Sequence, residues 1–161
     1  MLRPVAIVLL FLLAPFPAFA ADGMRMAVFP VEFVNTSLEP TRDDERVRLA
    51  AFDRQLRSAL EARGYAIVDT TPVAAEMARY ASLRECNGCE LGLARRLGAE
   101  LVALAWVQKV SNLILEITVR IGEVETGKLL HAGSVSIRGN TDESWAHGLR
   151  YLLRYVLFRE R

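Results

Sequence analysis

Histidine and cysteine are scarce in this sequence, with two of each among 161 residues. A structural zinc site takes four protein ligands, and His131 and His147 fall on separate expected elements away from Cys86 and Cys89. No metal site is therefore expected. An excess of charge of one sign is also missing, since 20 basic residues face 19 acidic ones without a basic run. That balance disfavours nucleic acid or an anionic membrane as the main partner, because both demand a basic footprint. Neither a Walker-type phosphate loop nor a glycine-rich dinucleotide turn occurs, and no cofactor is expected. Internal repeats and low-complexity linkers are absent as well.

Long apolar runs are lacking except at the start. Met1-Leu2-Arg3-Pro4 carries one positive charge, Val5 to Ala14 is wholly apolar, and Ala18-Phe19-Ala20 follows Pro15 and Pro17. This is the order of a secretory signal peptide, with cleavage expected after Ala20. The run reaches only about half of the roughly 20 residues that cross a bilayer, so it is not read as an anchor. Residues 21–161 then form one domain, expected in the periplasm or secreted, with no membrane insertion after cleavage. Both cysteines lie in that exported part, where a disulfide persists.

Arg25–Val34 reads as a buried strand, with Pro30 marking an end or a bulge. Thr41 with Asp44 resembles a capping box. Leu49, Phe52, Leu56, Ala59 and Leu60 then follow at helical spacing, and Gly64 supplies the stop. A short strand, Tyr65–Val68, precedes a second helix capped by Thr71, with Pro72 at its first position and a helical stretch reaching Glu85. Asn87 is expected to cap a third helix that ends at Gly98. Glu100–Val110 is apolar enough for a central strand. Leu113–Ile121 alternates as a further strand, and Leu129–Ile137 is the last. Asn140 with Glu143 is expected to cap a final helix with Trp145, Leu149, Leu152 and Val156 inward. The order β-α-β-α-α-β-β-β-α predicts an α/β domain with a mixed sheet of about five strands and helices packed on it.

Three stretches carry a family resemblance: Met26-Ala27-Val28-Phe29-Pro30-Val31, Leu97-Gly98-Ala99-Glu100-Leu101-Val102 and Val124-Glu125-Thr126-Gly127-Lys128. They resemble the first strand, a helix-to-strand joint and a hairpin of the TolB amino-terminal domain, and similar stretches of envelope proteins related to CsgG and LpoB. The chain also looks like a member of a small secreted bacterial family of unknown function. The resemblance implies a periplasmic, non-enzymatic adaptor whose partner is an exported protein or envelope complex. It implies no catalytic residues, and the β-propeller of the TolB protein is missing.

Cys86-Asn87-Gly88-Cys89 is the sharpest local motif. Glu90 stands where a haem-attachment histidine would follow. A structural disulfide fits an exported chain. A redox pair fits Cys89 in a first helical turn, where the macrodipole favours a thiolate, although redox motifs of that kind follow directly on a strand. His131 and His147 lack a recognisable acid–base arrangement. Asn140-Thr141-Asp142-Glu143-Ser144 offers oxygen ligands to a cation, and helix capping accounts for it too. Trp145, Tyr151 and Tyr155 are the candidate partner surface. Two functions stay open: a non-catalytic accessory protein, or a small thiol-redox or ligand-binding protein using the cysteine pair.

Overall fold

The computed structural model describes residues 23–159. The expected signal segment and its cleavage point lie outside them.

The expected first strand is two strands, β1 (Arg25–Val28) and β2 (Glu32–Asn35). Both run parallel to the same neighbour, β4 (Leu101–Lys109), with Val28 opposite Ala103 and Glu32 opposite Trp106. The first chain takes four steps where β4 takes three, so the interruption is a bulge of one residue. Pro30 sits there, exposed, where its missing N–H leaves no ladder bond unmade.

Helix α1 spans Asp43–Glu61, and its cap is Arg42 rather than Thr41. The Arg42 N–H donates to Glu45 Oε2 at 2.9 Å. The Thr41 hydroxyl is engaged instead by Asn35 Nδ2 at 3.2 Å. Asp43, Asp44 and Glu45 place negative charge in the first turn, which suits the helix dipole. Phe52, Leu56 and Leu60 are buried as the apolar spacing requires. Gly64, with φ +89°, lets the chain turn into β3 (Ala66–Val68).

β3 pairs parallel with β1, and β4 lies on the opposite side of β1. The connection through α1 steps one way along the sheet and the next connection steps back. Right-handed crossovers therefore place α1 and the helix before β4 on opposite faces. That helix is α3 (Cys89–Arg96), capped by Gly88 instead of Asn87. The expected second helix is much shorter than its sequence suggests. A 3-10 turn over Thr71–Val73 leads into α2 (Ala74–Met77), and turns follow up to α3. The Glu32 carboxylate explains this, because it takes the Leu83 N–H at 2.8 Å and the Ser82 hydroxyl at 2.7 Å. A backbone N–H bound there is lost to a helix.

β5 (Ile114–Glu123) and β6 (Leu129–Arg138) complete the sheet as antiparallel neighbours of β4. The order is β3-β1-β4-β5-β6, with β2 also beside β4, which makes six strands. The α/β class and the mixed sheet hold; the extra strand comes from the bulge. Met26, Ala103, Val107, Ile117 and Ile121 face α1 and the last helix in the larger core. Ala27, Phe29 and Val102 face α3 and the turns before it in the smaller one.

The last helix is α4 (Asp142–Tyr151), continued by a π-helical turn over Leu152–Leu157. Thr141 caps it, its hydroxyl accepting from the Ser144 N–H at 3.2 Å. Asn140, expected in that role, is used elsewhere. Gly148 permits close approach, since a Cβ there would come within 2.5 Å of Ile137 Cγ2. The π turn, seen in the Phe158 N–H bond to the Leu153 carbonyl at 3.2 Å, slips the inner face by one residue. Leu153 and Leu157 are buried, and Val156 packs at the core's margin.

Candidate functional site

Two regions hold the residues singled out in the sequence. The first is the start of α3, where Cys86 and Cys89 are joined in a disulfide with Cα atoms 5.5 Å apart. Both pack against the smaller core. The turn before them is held by Glu32, whose carboxylate also pairs with Arg84 Nε at 3.2 Å. Glu90 Oε2 lies 3.3 Å from Cys86 Sγ. Cys86, Cys89 and Glu90 converge as three residues able to hold a metal, but sulfurs bonded to each other offer no thiolate to an ion.

The second region is α4, and here the three expected surface aromatics separate. Trp145 is 1% exposed and belongs to the core, which corrects its assignment to a partner surface. Its ring stacks on Phe33 at 6.0 Å and meets Phe52 edge-on at 5.9 Å. Its Nε1 donates to Asn140 Oδ1 at 3.0 Å. Burying the indole is favourable only because that N–H has a partner. Tyr151 and Tyr155 do face outward, 49% and 52% exposed, with ring centroids 5.2 Å apart. The Arg154 guanidinium lies 5.2 Å from the Tyr155 ring. With Arg63, His147 and Arg150 these residues line a cavity of about 370 Å³, aromatic and basic in character. A second cavity of about 460 Å³ continues past His147 and Tyr151 to β6. His131, expected as the other histidine of interest, sits apart on β6. Its Nδ1 lies 3.2 Å from the Leu157 carbonyl oxygen and its ring 5.0 Å from Phe158, so it fastens the C-terminal turn to the sheet.

In the polar cluster Asn140–Ser144, the side chains of Asn140, Thr141, Asp142 and Ser144 have bonding partners. Asn140 Oδ1 accepts from Trp145 and from Arg48 Nη1 at 3.0 Å, and Asp142 Oδ1 pairs with Arg48 Nε at 2.7 Å. Asn140 Nδ2 donates to Glu45 Oε1 at 2.6 Å, which leads into a feature the sequence did not disclose. Lys109 and Glu45 are both fully buried, with Nζ 2.8 Å from Oε1 in an ion pair of oblique hydrogen-bond geometry. Burial opposes the charge on Glu45, yet the bonds from Lys109, the Arg42 N–H and Asn140 outweigh it and hold its pKa below the ordinary value. Lys109 ends a strand that is apolar from Leu101 to Val107, and no local pattern announces a partner so distant in sequence.

Trp106 was also missed. It lies on the outer face of β4, with the guanidinium of Arg120 at 5.0 Å and that of Arg84 at 5.9 Å from its ring. The signal was available in its alternation with Ala105 and Val107, which places it on the opposite face from the larger core.

A six-stranded mixed sheet, with helices on both faces and an aromatic, basic surface on the last helix, defines a small α/β domain of a recurrent bacterial kind. Solved structures of similar fold include the LpoB C-terminal domain from Salmonella enterica, 17% identical with a TM-score of 0.54, covering 75% of this chain and 87% of that one. The LpoB C-terminal domain from Escherichia coli is 17% identical with a TM-score of 0.53, covering 71% and 82%. Lipoprotein GNA1162 from Neisseria meningitidis is 20% identical with a TM-score of 0.50, covering 73% and 82%. The LpoB resemblance is thus met at the level of fold. Residues 24–157 match the model of DUF3280, described as "Protein of unknown function (DUF2380)", and the chain belongs to that family. No curated protein matches it.

Proposed function

We propose that this chain is a non-catalytic accessory domain of the bacterial envelope, exported by residues 1–20 and released after Ala20, that binds another exported protein or envelope complex. Kinship with the TolB amino-terminal domain and with CsgG belongs to the same proposal. The observation that carries it is the outward-facing Tyr151–Tyr155 pair on the basic cavity of α4. Tyrosine and arginine are the residues that anchor protein interfaces, because each combines a broad apolar surface with a polar tip. A fold shared with a lipoprotein supports the compartment. Among the described residues no helix is long and apolar enough to cross a membrane.

The rival thiol-redox reading loses support because turns, not a strand, lead into Cys86. Under the accessory reading the disulfide clips the turn that follows α2 to α3. The test is a photo-crosslinking side chain placed at Tyr155 in the exported protein. Discrete covalent adducts are expected in the periplasm, and they should disappear when Tyr151 and Arg150 are replaced by alanine and glutamate. A cell in which Tyr155 yields no adduct, while C86S/C89S abolishes function in a fully folded protein, would reverse the choice.

A further inference from the structure

β6 ends the sheet, and no described strand pairs with its outer edge. The Gly139 N–H donates to the Leu113 carbonyl at 3.0 Å. Antiparallel pairing alternates by twos, so the N–H and C=O groups of Ala132, Ser134 and Ser136 point away from β5. All three residues are exposed, and their side chains are small enough for a second backbone to reach pairing distance. Ser134, Val135, Ser136 and Ile137 line one cavity together with Tyr151. Successive residues point to opposite faces, so a cavity shared by both sets lies at the strand's edge.

Edge strands of monomeric proteins are guarded by charges, prolines or covering segments. From Leu129 to Ile137 this strand has no proline and no Asp, Glu, Lys or Arg. Among the described residues its rim is mostly basic, although Glu116 stands opposite Ser136. Arg138 and Arg150 line the adjoining cavity beside a single acid, Glu143. Arg63, in the turn after α1, and Arg154, in the π-helical turn, line the next cavity. We infer that β6 accepts an extended, acidic segment of a partner protein as an added strand, its carboxylates facing the arginines of β6 and α4. This rests on the reading of the chain as a binding domain. Recognition by strand addition takes its affinity from the backbone and its selectivity from flanking side chains. A second copy fits poorly, because β6 against β6 would bring two sets of these arginines together.

The isotope-labelled exported chain is titrated with a capped heptapeptide of alternating glutamate and valine. Two controls accompany it: the peptide with lysine in place of glutamate, and the acidic peptide N-methylated at alternate residues. Binding of the acidic peptide should slow amide exchange at Ala132, Ser134 and Ser136. The lysine peptide should bind about tenfold more weakly or worse at low salt. N-methylation of the pairing edge should abolish binding. Ser134→Pro, which removes one outward N–H at a position where an edge strand tolerates proline, should weaken binding at least about tenfold. The N-methylated peptide asks the same question of the unaltered protein, so a misfolded variant does not decide the matter. Equal binding of acidic and basic peptides, protection centred elsewhere, or no binding up to about 1 mM peptide would overturn the inference. So would concentration-dependent protection of β6 without peptide, which would make a second copy the occupant. The underlying reading is tested separately. If Ser134→Pro cells keep Tyr155 cross-links at full yield, the edge assignment fails and the binding domain stands. If unaltered cells give none, the binding domain itself fails.

Discussion

Lys109 Nζ lies 2.8 Å from Glu45 Oε1, and neither side chain reaches solvent. The pair joins the last residue of β4 to the first turn of α1. Through Asn140 it extends to Trp145 and the start of α4. Three elements that the chain visits far apart are thus registered by one buried polar junction. A buried charge without its partner costs far more than the intact pair contributes, so the junction selects this arrangement over packings that would split it.

Lys109→Met should therefore lower stability by about 3 kcal/mol, because it leaves the Glu45 carboxylate buried beside an apolar chain. The double variant K109M/E45L should recover part of that loss in urea denaturation. If the single variant unfolds at the wild-type midpoint, the pair has no structural role.

Acid should act through the same group. Glu45 is held below its ordinary value of 4.5, so its contribution is fully present above about pH 4.5, where it is ionised folded and unfolded alike. As pH falls below that point the unfolded chain takes up the proton first, and stability declines until the folded carboxyl is protonated too. Glu45→Gln should flatten this part of the stability profile. A profile of unchanged slope in the variant would assign the acid sensitivity to other carboxylates.

For the cysteines, C86S/C89S should cost no more than about 2 kcal/mol, since the closed loop is short. The protein should still fold and still bind. A reduction potential well below that of the glutathione pool is expected for the native pair, as structural disulfides have. A potential in the glutaredoxin range, with activity lost in a folded double variant, would support redox chemistry instead.

Amide exchange should be slowest along β4. It is paired on both sides, and Leu101, Ala103, Ala105 and Val107 are buried. Exchange faster there than in β6 would contradict the placement of β4 at the sheet's centre.

Export makes a last expectation about residues beyond the described part. The mature protein should begin at Ala21 and dissolve without detergent. An intact mass that retains residues 1–20 would refute cleavage.

Much of this architecture was legible because burial imposes a period. The alternation from Leu113 to Ile121 and the spacing of Phe52, Leu56 and Leu60 both report which side faces the core. Helix starts were off by one residue at Thr41, Asn87 and Asn140, because capping side chains are exchangeable and two of these were recruited elsewhere. Asn140 serves Trp145, Arg48 and Glu45, and Thr41 serves Asn35. The second helix was overextended because its competitor, Glu32, is remote in sequence. The π turn escaped notice because Val156 and Leu157 are both apolar, and composition does not say which of them points inward. Of the expected site, Tyr151 and Tyr155 are on the surface. Trp145 is not: it stands on the inner face that the helical spacing of Trp145, Leu149 and Leu152 already gives it.

The extra residue beside Pro30 also acts as a phase switch. Counting every second residue onward from Met26 and Val28 would put Glu32 under α1 and turn Phe33 to the other side. The bulge inverts that assignment. Phe33 pairs with Val107 and joins the tryptophan, while Glu32 pairs with Trp106 and reaches the turn that carries the disulfide. Pairing the same residues without the bulge would shift everything after it by one and drive a carboxylate into the larger core, whereas deleting Pro30 would leave Glu32 opposite Trp106 and Phe33 opposite Val107. The bulge at Pro30 absorbs one residue, and the segments on either side of it keep the faces their side chains require.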